Sequence, residues 1–303
     1  LTTLKAVDRY GILYHFNGKK WEKEQDSNYK KVGTNSLKQV IFAGNKIVGL
    51  AIGGNKGGKL YVGEQNIKTN TIEWKQEKSL GEDCYSILLG GDDKVYATTY
   101  TGELHQYDGT AWKKLRAKTN QPARILAAES EDEIWVAEKF KEKSNVKAKI
   151  QKYGYKENGL APIQTCKTPM GIADLPTGFI KDESTMYCVY NGSLWESEDD
   201  GEKWTRQIID SDGYERDTLE TIQKTEYGIF YLGSKGSFYY DGTVLWETAK
   251  PANEYNARTV RVAVNSGDSS KKNFAFGGKV TVDNQFDLTP YLTYYRYGGG
   301  GDG

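Results

Sequence analysis

The sequence predicts an all-β chain built by repeating one four-stranded meander, and three observations carry that expectation. Residues 94–115, KVYATTYTGELHQYDGTAWKKL, hold two alternating apolar and polar runs that meet at Thr101-Gly102, and a second turn at Asp108-Gly109 leads to Trp112 and Leu115. Period-2 alternation broken by Gly-containing turns is the pattern of sequential antiparallel strands. The same unit then recurs, imperfectly, along the whole chain. Finally, 22 Tyr and seven Trp against two Met, with 34 Gly, favour strands and turns over helices.

The elements can be justified in order within the unit. A third strand ending before a turn occurs at 11–18, 58–65, 102–109, 148–155, 192–199 and 236–242, six copies in all. A short fourth strand follows each, marked by Trp21, Trp74, Trp112, Trp204 and Trp246, with Ile163 in place of Trp in the fourth copy. These markers are about 38 to 53 residues apart, the spacing of four-stranded propeller blades. Second strands precede at 47–53, 94–100, 133–140, 185–190 and 228–234; more apolar first strands lie at 37–44, 84–91, 123–130, 177–183, 219–225 and 259–266. The expected fold is a six-bladed β-propeller, with seven blades as the alternative, formed by residues 1–298 as one domain. The N-terminal unit lacks a first strand, so 259–266 is expected to supply it and close the ring with strands from both termini, which removes free sheet edges. Residues 273–282 and 289–298 have no place in that scheme and form an extra hairpin or a partial blade; 299–303 is a Gly-rich tail.

Charge and composition narrow the function classes. Lys+Arg and Asp+Glu both total 41, so no global field holds this chain on nucleic acid, and none is expected as a partner. No apolar run approaches the ~20 residues that cross a bilayer as a helix, so membrane insertion is not expected. Cys84, Cys166 and Cys188 have neither CxxC nor metal-ligand spacing and read as buried free thiols. His15 and His105 lie on different third strands, without an acidic or Cys cluster, so no metal is assigned. GGNKGGK at 53–59 lacks the spacing of a phosphate loop. No Ser/His/Asp or Cys/His arrangement stands out, and no catalytic residue or cofactor is assigned. The chain begins at Leu1 rather than Met, which either processing or fragmentation would give.

The sharpest local motif is SEDDGEKW, Ser197 to Trp204, of the form S-x-D-x-G-x-x-W. With it the chain resembles the Asp-box (BNR-repeat) β-propellers, which include sialidases, other glycoside hydrolases, sorting receptors and assembly factors. The resemblance implies a structural hairpin: Ser197 and Asp199 bonding turn backbone, Gly201 in a conformation other residues avoid, Trp204 packed between blades. FNGKKW (16–21) and YDGTAW (107–112) keep only the turn Gly and the Trp.

Sialidases, similar in fold, hold a carboxylate with three arginines. Here Arg124, Arg216 and Arg258 lie at or just before first strands, near GYERD (213–217) and NEYNAR (253–258), but the Arg-Ile-Pro signature is absent. The expected ligand-binding residues are Tyr29, Arg124, Tyr214, Arg216, Tyr255 and Arg258, in or beside the connections from a fourth strand to the next first strand. Guanidinium forks suit anionic groups and aromatic faces suit sugars. The expected function is non-catalytic binding of a glycan or a protein there, in an extracellular, cell-surface or virion-associated setting. A sialidase-like hydrolase and a structural part of a larger assembly are the alternatives. The basic run 139–152, KFKEKSNVKAKIQK, reads as a solvated hairpin extension, and Tyr291, Tyr294, Tyr295 and Tyr297 as strand packing.

Overall fold

The computed structural model describes residues 5–7, 13–16, 21–23, 37–43, 46–52, 58–66, 68, 71–78, 80, 83–157, 159–171, 173–207, 219–225, 228–233, 237–240, 245–247, 256–265, 273–282, 285–287 and 293–296. These are nearly all strand. The first sheet has three strands, β1 (Lys5–Val7), β2 (Leu13–Phe16) and β3 (Trp21–Lys23). Next come β4 (Leu37–Ala43), β5 (Lys46–Ile52), β6 (Gly58–Asn66) and β7 (Thr71–Glu77), then β8 (Cys84–Leu89), β9 (Val95–Thr99), β10 (Leu104–Tyr107) and β11 (Trp112–Arg116). Those two meanders count as one eight-stranded sheet through a single register pair, Gly58 with Cys84. Four-stranded meanders follow: β12 (Ala123–Ser130), β13 (Glu133–Glu142), β14 (Asn145–Lys156) and β15 (Gly159–Lys167); β16 (Gly178–Asp182), β17 (Thr185–Tyr190), β18 (Ser193–Ser197) and β19 (Thr205–Gln207); β20 (Leu219–Thr225), β21 (Gly228–Gly233), β22 (Ser237–Tyr240) and β23 (Leu245–Glu247). The last sheet joins β24 (Asn256–Asn265) to β25 (Asn273–Val282), whose other edge carries β26 (Gln285–Asp287) and β27 (Thr293–Arg296).

Consecutive sheets pack face to face. Tyr96 and Leu104 of one meander meet Ala123, Ile125, Ile134 and Val136 of the next, and Leu126, Trp135 and Ile150 meet Phe179, Met186 and Cys188. Central strands are therefore buried on both sides, so β9, VYATT, is buried at every position. Fully burying one such aliphatic side chain contributes roughly 2 kcal/mol. The first strands of successive meanders, β4, β8, β12, β16, β20 and β24, lie beside one another in sequence order.

A β-bulge recurs in five of these six first strands, with register slips between Leu37 and Gln39, Cys84 and Ser86, Ile125 and Ala127, Leu219 and Thr221, and Thr259 and Arg261. An extra residue restarts the alternation, so Cys84 and Ile87, three apart, are both buried. In β4 and β8 the polar residue after the bulge reaches the neighbouring first strand. Gln39 Nε2 donates to the Ile87 carbonyl at 2.8 Å, and Ser86 Oγ accepts the Ile125 N–H at 2.9 Å. Thr98 Oγ1 takes the Ser86 proton (2.7 Å) and donates to the Ala123 carbonyl (2.7 Å).

Closure of the ring by strands from both termini is not confirmed by the described pairings. Residues 256–265 pair along their length with 273–282, and no pairing with the N-terminal strands is found among the described residues. The apolar strand at 259–266 has its partner immediately downstream, a connection shorter than closure across the chain. Residues 273–282 and 293–296, left over in the six-unit count, belong to that sheet.

Candidate functional site

In an antiparallel meander, the connection from fourth to next first strand and the hairpin between second and third strands fall at the same end. One such connection and two such hairpins build a recess between the 84–116 and 123–167 meanders. The 117–122 connection is pinned to the 100–103 turn, because Thr119 and Asn120 both donate backbone N–H to the Thr101 carbonyl at 2.9 Å. Gly102 permits that approach: its φ is +84°, and a Cβ there would run into Thr119 Oγ1. On the far side, Lys139 N–H donates to the Pro122 carbonyl at 3.2 Å. The recess holds about 320 Å³ and is lined by Thr119, Gln121, Glu138, Lys139, Phe140, Lys141 and Lys149.

Its floor is a buried charge network spanning both meanders. Arg116 Nη1 donates to Glu138 Oε2 at 2.7 Å, and Lys149 Nζ lies 3.3 Å from Glu138 Oε1. Arg116 also donates to the Gly102 carbonyl and the Tyr153 hydroxyl, with its guanidinium 4.8 Å over the Tyr153 ring. The Tyr153 hydroxyl lies 3.0 Å from Gln151 Oε1, and Gln151 Nε2 donates to Thr165 Oγ1 at 2.9 Å. Burial pushes the Tyr153 phenol up to about 12, so it stays a neutral donor. A carboxylate this buried holds because two cations and a hydroxyl face it.

A second cluster centres on the buried His105 of β10. His105 Nε2 is 3.0 Å from Glu103 Oε2, and Lys114 caps the other carboxylate oxygen. Burial lowers the His105 pKa against the pull of Glu103. Burial would raise Glu103, but Lys114 and His105 hold it below its ordinary value.

Of the expected ligand-binding residues, Arg124 is the second residue of β12. Its guanidinium lies 5.5 Å over Tyr85, itself edge-on to Tyr100 at 4.8 Å, and its buried Nε has no hydrogen-bond partner. Arg258 is the third residue of β24. Tyr29, Tyr214, Arg216 and Tyr255 lie outside the described residues. Sequence reasoning passed over Arg116 and Glu138, and the signal for the recess was the basic run 139–152, whose hairpin forms one wall.

The Ser197–Trp204 turn sits at the opposite end of its own meander. Ser197 Oγ donates to Asp199 Oδ1 (2.9 Å) and accepts the Gly201 N–H (2.9 Å), and Asp199 Oδ1 accepts the Lys203 N–H (2.8 Å). Gly201 has φ +82°, and a Cβ there would collide with the Cβ of Cys166. Trp204 Nε1 donates to the Lys167 carbonyl at 2.8 Å, and Lys167 N–H to the Gly201 carbonyl at 3.0 Å. The turn therefore staples its meander to the last strand of the preceding one. Among the described residues no group of three His, Cys, Asp or Glu side chains could hold a metal ion, and no helix is long and apolar enough to cross a membrane.

With stacked four-stranded meanders and adjacent first strands in view, comparison with solved structures assigns the chain a β-propeller-type fold. The likeness is to YCF48, solved bound to a D1 peptide, at 13% identity and a TM-score of 0.54, covering 97% of this chain and 87% of that one. A protein described as an oxidoreductase (glucose dehydrogenase) from Thermus thermophilus aligns at 10% identity and a TM-score of 0.43, covering 77% of this chain and 87% of that one. No protein-family model and no curated protein matches the sequence.

Proposed function

We propose that this chain is a non-catalytic binding module that takes up a protein partner on the end of the propeller bearing the 117–122 connection and the β13–β14 hairpin. The observation that carries the reading is the recess of about 320 Å³ there, walled by pinned backbone and floored by the Arg116–Glu138–Lys149 network. Pre-organised backbone walls and a satisfied polar floor suit recognition, because little has to be ordered on binding. Phe140, the one aromatic ring lining the recess among the described residues, has Lys149 Nζ 5.5 Å from its centroid, which favours a peptide over a sugar stacked on that ring. YCF48 binds a peptide on a fold of the same type, an analogy that supports the reading at the level of fold.

The sequence of sheets supports a ring of seven units, with 256–296 as the seventh, over the six-unit count. The Ser197–Trp204 hydrogen bonds support kinship with Asp-box propellers. A peptide array, a glycan array and a glycoside-hydrolysis panel test the function together. Peptide capture without turnover is expected, lost in Gln121→Arg, which fills the recess. Glycoside turnover, or glycan capture that survives Gln121→Arg, would overturn it.

A further inference from the structure

The β13–β14 ribbon outruns its neighbours. Antiparallel pairing joins Lys139 to Ala148, Phe140 to Lys147, Lys141 to Val146 and Glu142 to Asn145. On one side β15 begins its pairing only at Lys149. On the other, β12 ends its pairing at Ala123 with Glu138, and the last bond to that side is Lys139 N–H to the Pro122 carbonyl. That bond fixes the parity. In an antiparallel pair, hydrogen-bonded and non-bonded positions alternate. With the Lys139 N–H aimed at residue 122, Phe140 and Glu142 spend their amides on β14, while the N–H and C=O of Lys141 face outward along the rim of the recess.

The same edge carries a strong local charge. Between residues 139 and 149 stand five lysines and one glutamate, and that glutamate, Glu142, is paired to Lys147. Glu138 at the floor is already matched by Arg116 and Lys149. The remaining lysines, Lys139, Lys141 and Lys143, repel a second copy of the ribbon, the usual protection of an open edge. They attract an anionic strand.

Resting on the binding-module reading, we propose that the occupant is an extended acidic segment of a partner protein. It adds as a strand to the Lys141 edge of β13, with its carboxylates toward the ribbon lysines and its backbone between β13 and the 117–122 connection. Main-chain bonds supply affinity in such strand addition, and alternate side chains supply selectivity.

The test is fluorescence polarisation with three labelled probes: Ac-EVEVEVE-amide, Ac-KVKVKVK-amide, and the acidic peptide N-methylated at alternate amides. The acidic peptide should bind, weaken with added salt, and lose about tenfold or more both on N-methylation and in Lys141→Pro, the loss of one charge-flanked backbone bond. Lys141→Pro removes an outward N–H and leaves the ribbon ladder intact, which an unchanged far-UV spectrum and melting point confirm. Lys139→Glu/Lys141→Glu should invert the preference toward the basic peptide. Acidic binding indifferent to N-methylation and to Lys141→Pro would overturn strand addition. Capture of the basic peptide alone by the native chain, lost in Gln121→Arg, would overturn the acidic partner and leave the module standing; no peptide bound in any arm would overturn both.

Discussion

Gly201 packs against the last strand of the preceding meander at a φ that L-residues avoid, with Cys166 where a side chain would begin. Gly201→Ala should therefore destabilise by about 2–3 kcal/mol in urea unfolding, combining left-handed strain with displacement of Cys166. Ser197→Ala, which loses only hydrogen bonds, should cost nearer 1 kcal/mol. Equal losses would show that the turn tolerates a Cβ. His105 offers a pH signature. It is 2% exposed, and its pKa lies below the ordinary 6.5 because burial disfavours the imidazolium. The unfolded chain takes up that proton first, so stability is full above about pH 6.5 and falls as pH drops from there toward the folded value. Melting points from pH 7.5 to 5.5 should fall more steeply for the native chain than for His105→Gln; parallel slopes would refute the assignment.

At the level of the element, the β13–β14 ribbon and the bulged first strands show what period-2 reading captures and what it misses. Strand positions were legible because alternation and Gly turns are local: 185–190 is β17 with the same bounds, and 219–225 is β20. The bulges were not legible. Leu219 and Ile222 are both buried although three apart, because an inserted residue resets the alternation, and only a partner strand reveals the slip. The recess was half legible. The lysine run stood out, but that its edge lies open depends on where β12 and β15 stop pairing, a tertiary fact. Ribbon parity makes its own prediction: Phe140→Pro, which removes a bonded amide, should cost about 2–3 kcal/mol, whereas Lys141→Pro should leave the melting point within about 1 °C of native, in keeping with the small effect of changes that break no bond. Reversal of that order in thermal melts would place the bonded amides on the other parity.

Across the whole molecule, stability comes from sheets that cannot bury their faces alone. Polar ties reinforce the stacking: Glu131 beyond β12 lies 3.2 Å from Lys94 and 3.1 Å from Lys113 of the preceding meander. Although burial would raise it, these lysines and Gln106 draw its carboxyl down to about 2, so this tie is whole above about pH 4.5 and is lost as pH falls toward 2. Face-to-face burial at the described junctions should make unfolding cooperative, with one calorimetric transition whose van't Hoff and calorimetric enthalpies agree. Two or more resolved transitions would mean that the meanders melt as an open array.

The three cysteines add an unplanned instrument. Cys84, Cys166 and Cys188 belong to three successive meanders, all shielded, with thiols pushed by burial to about 12, to about 11 and well above the ordinary range respectively. A thiol reagent therefore reacts only after local opening, and variants keeping one cysteine each would time the breathing of three neighbouring meanders separately, recording in which order the stack comes apart.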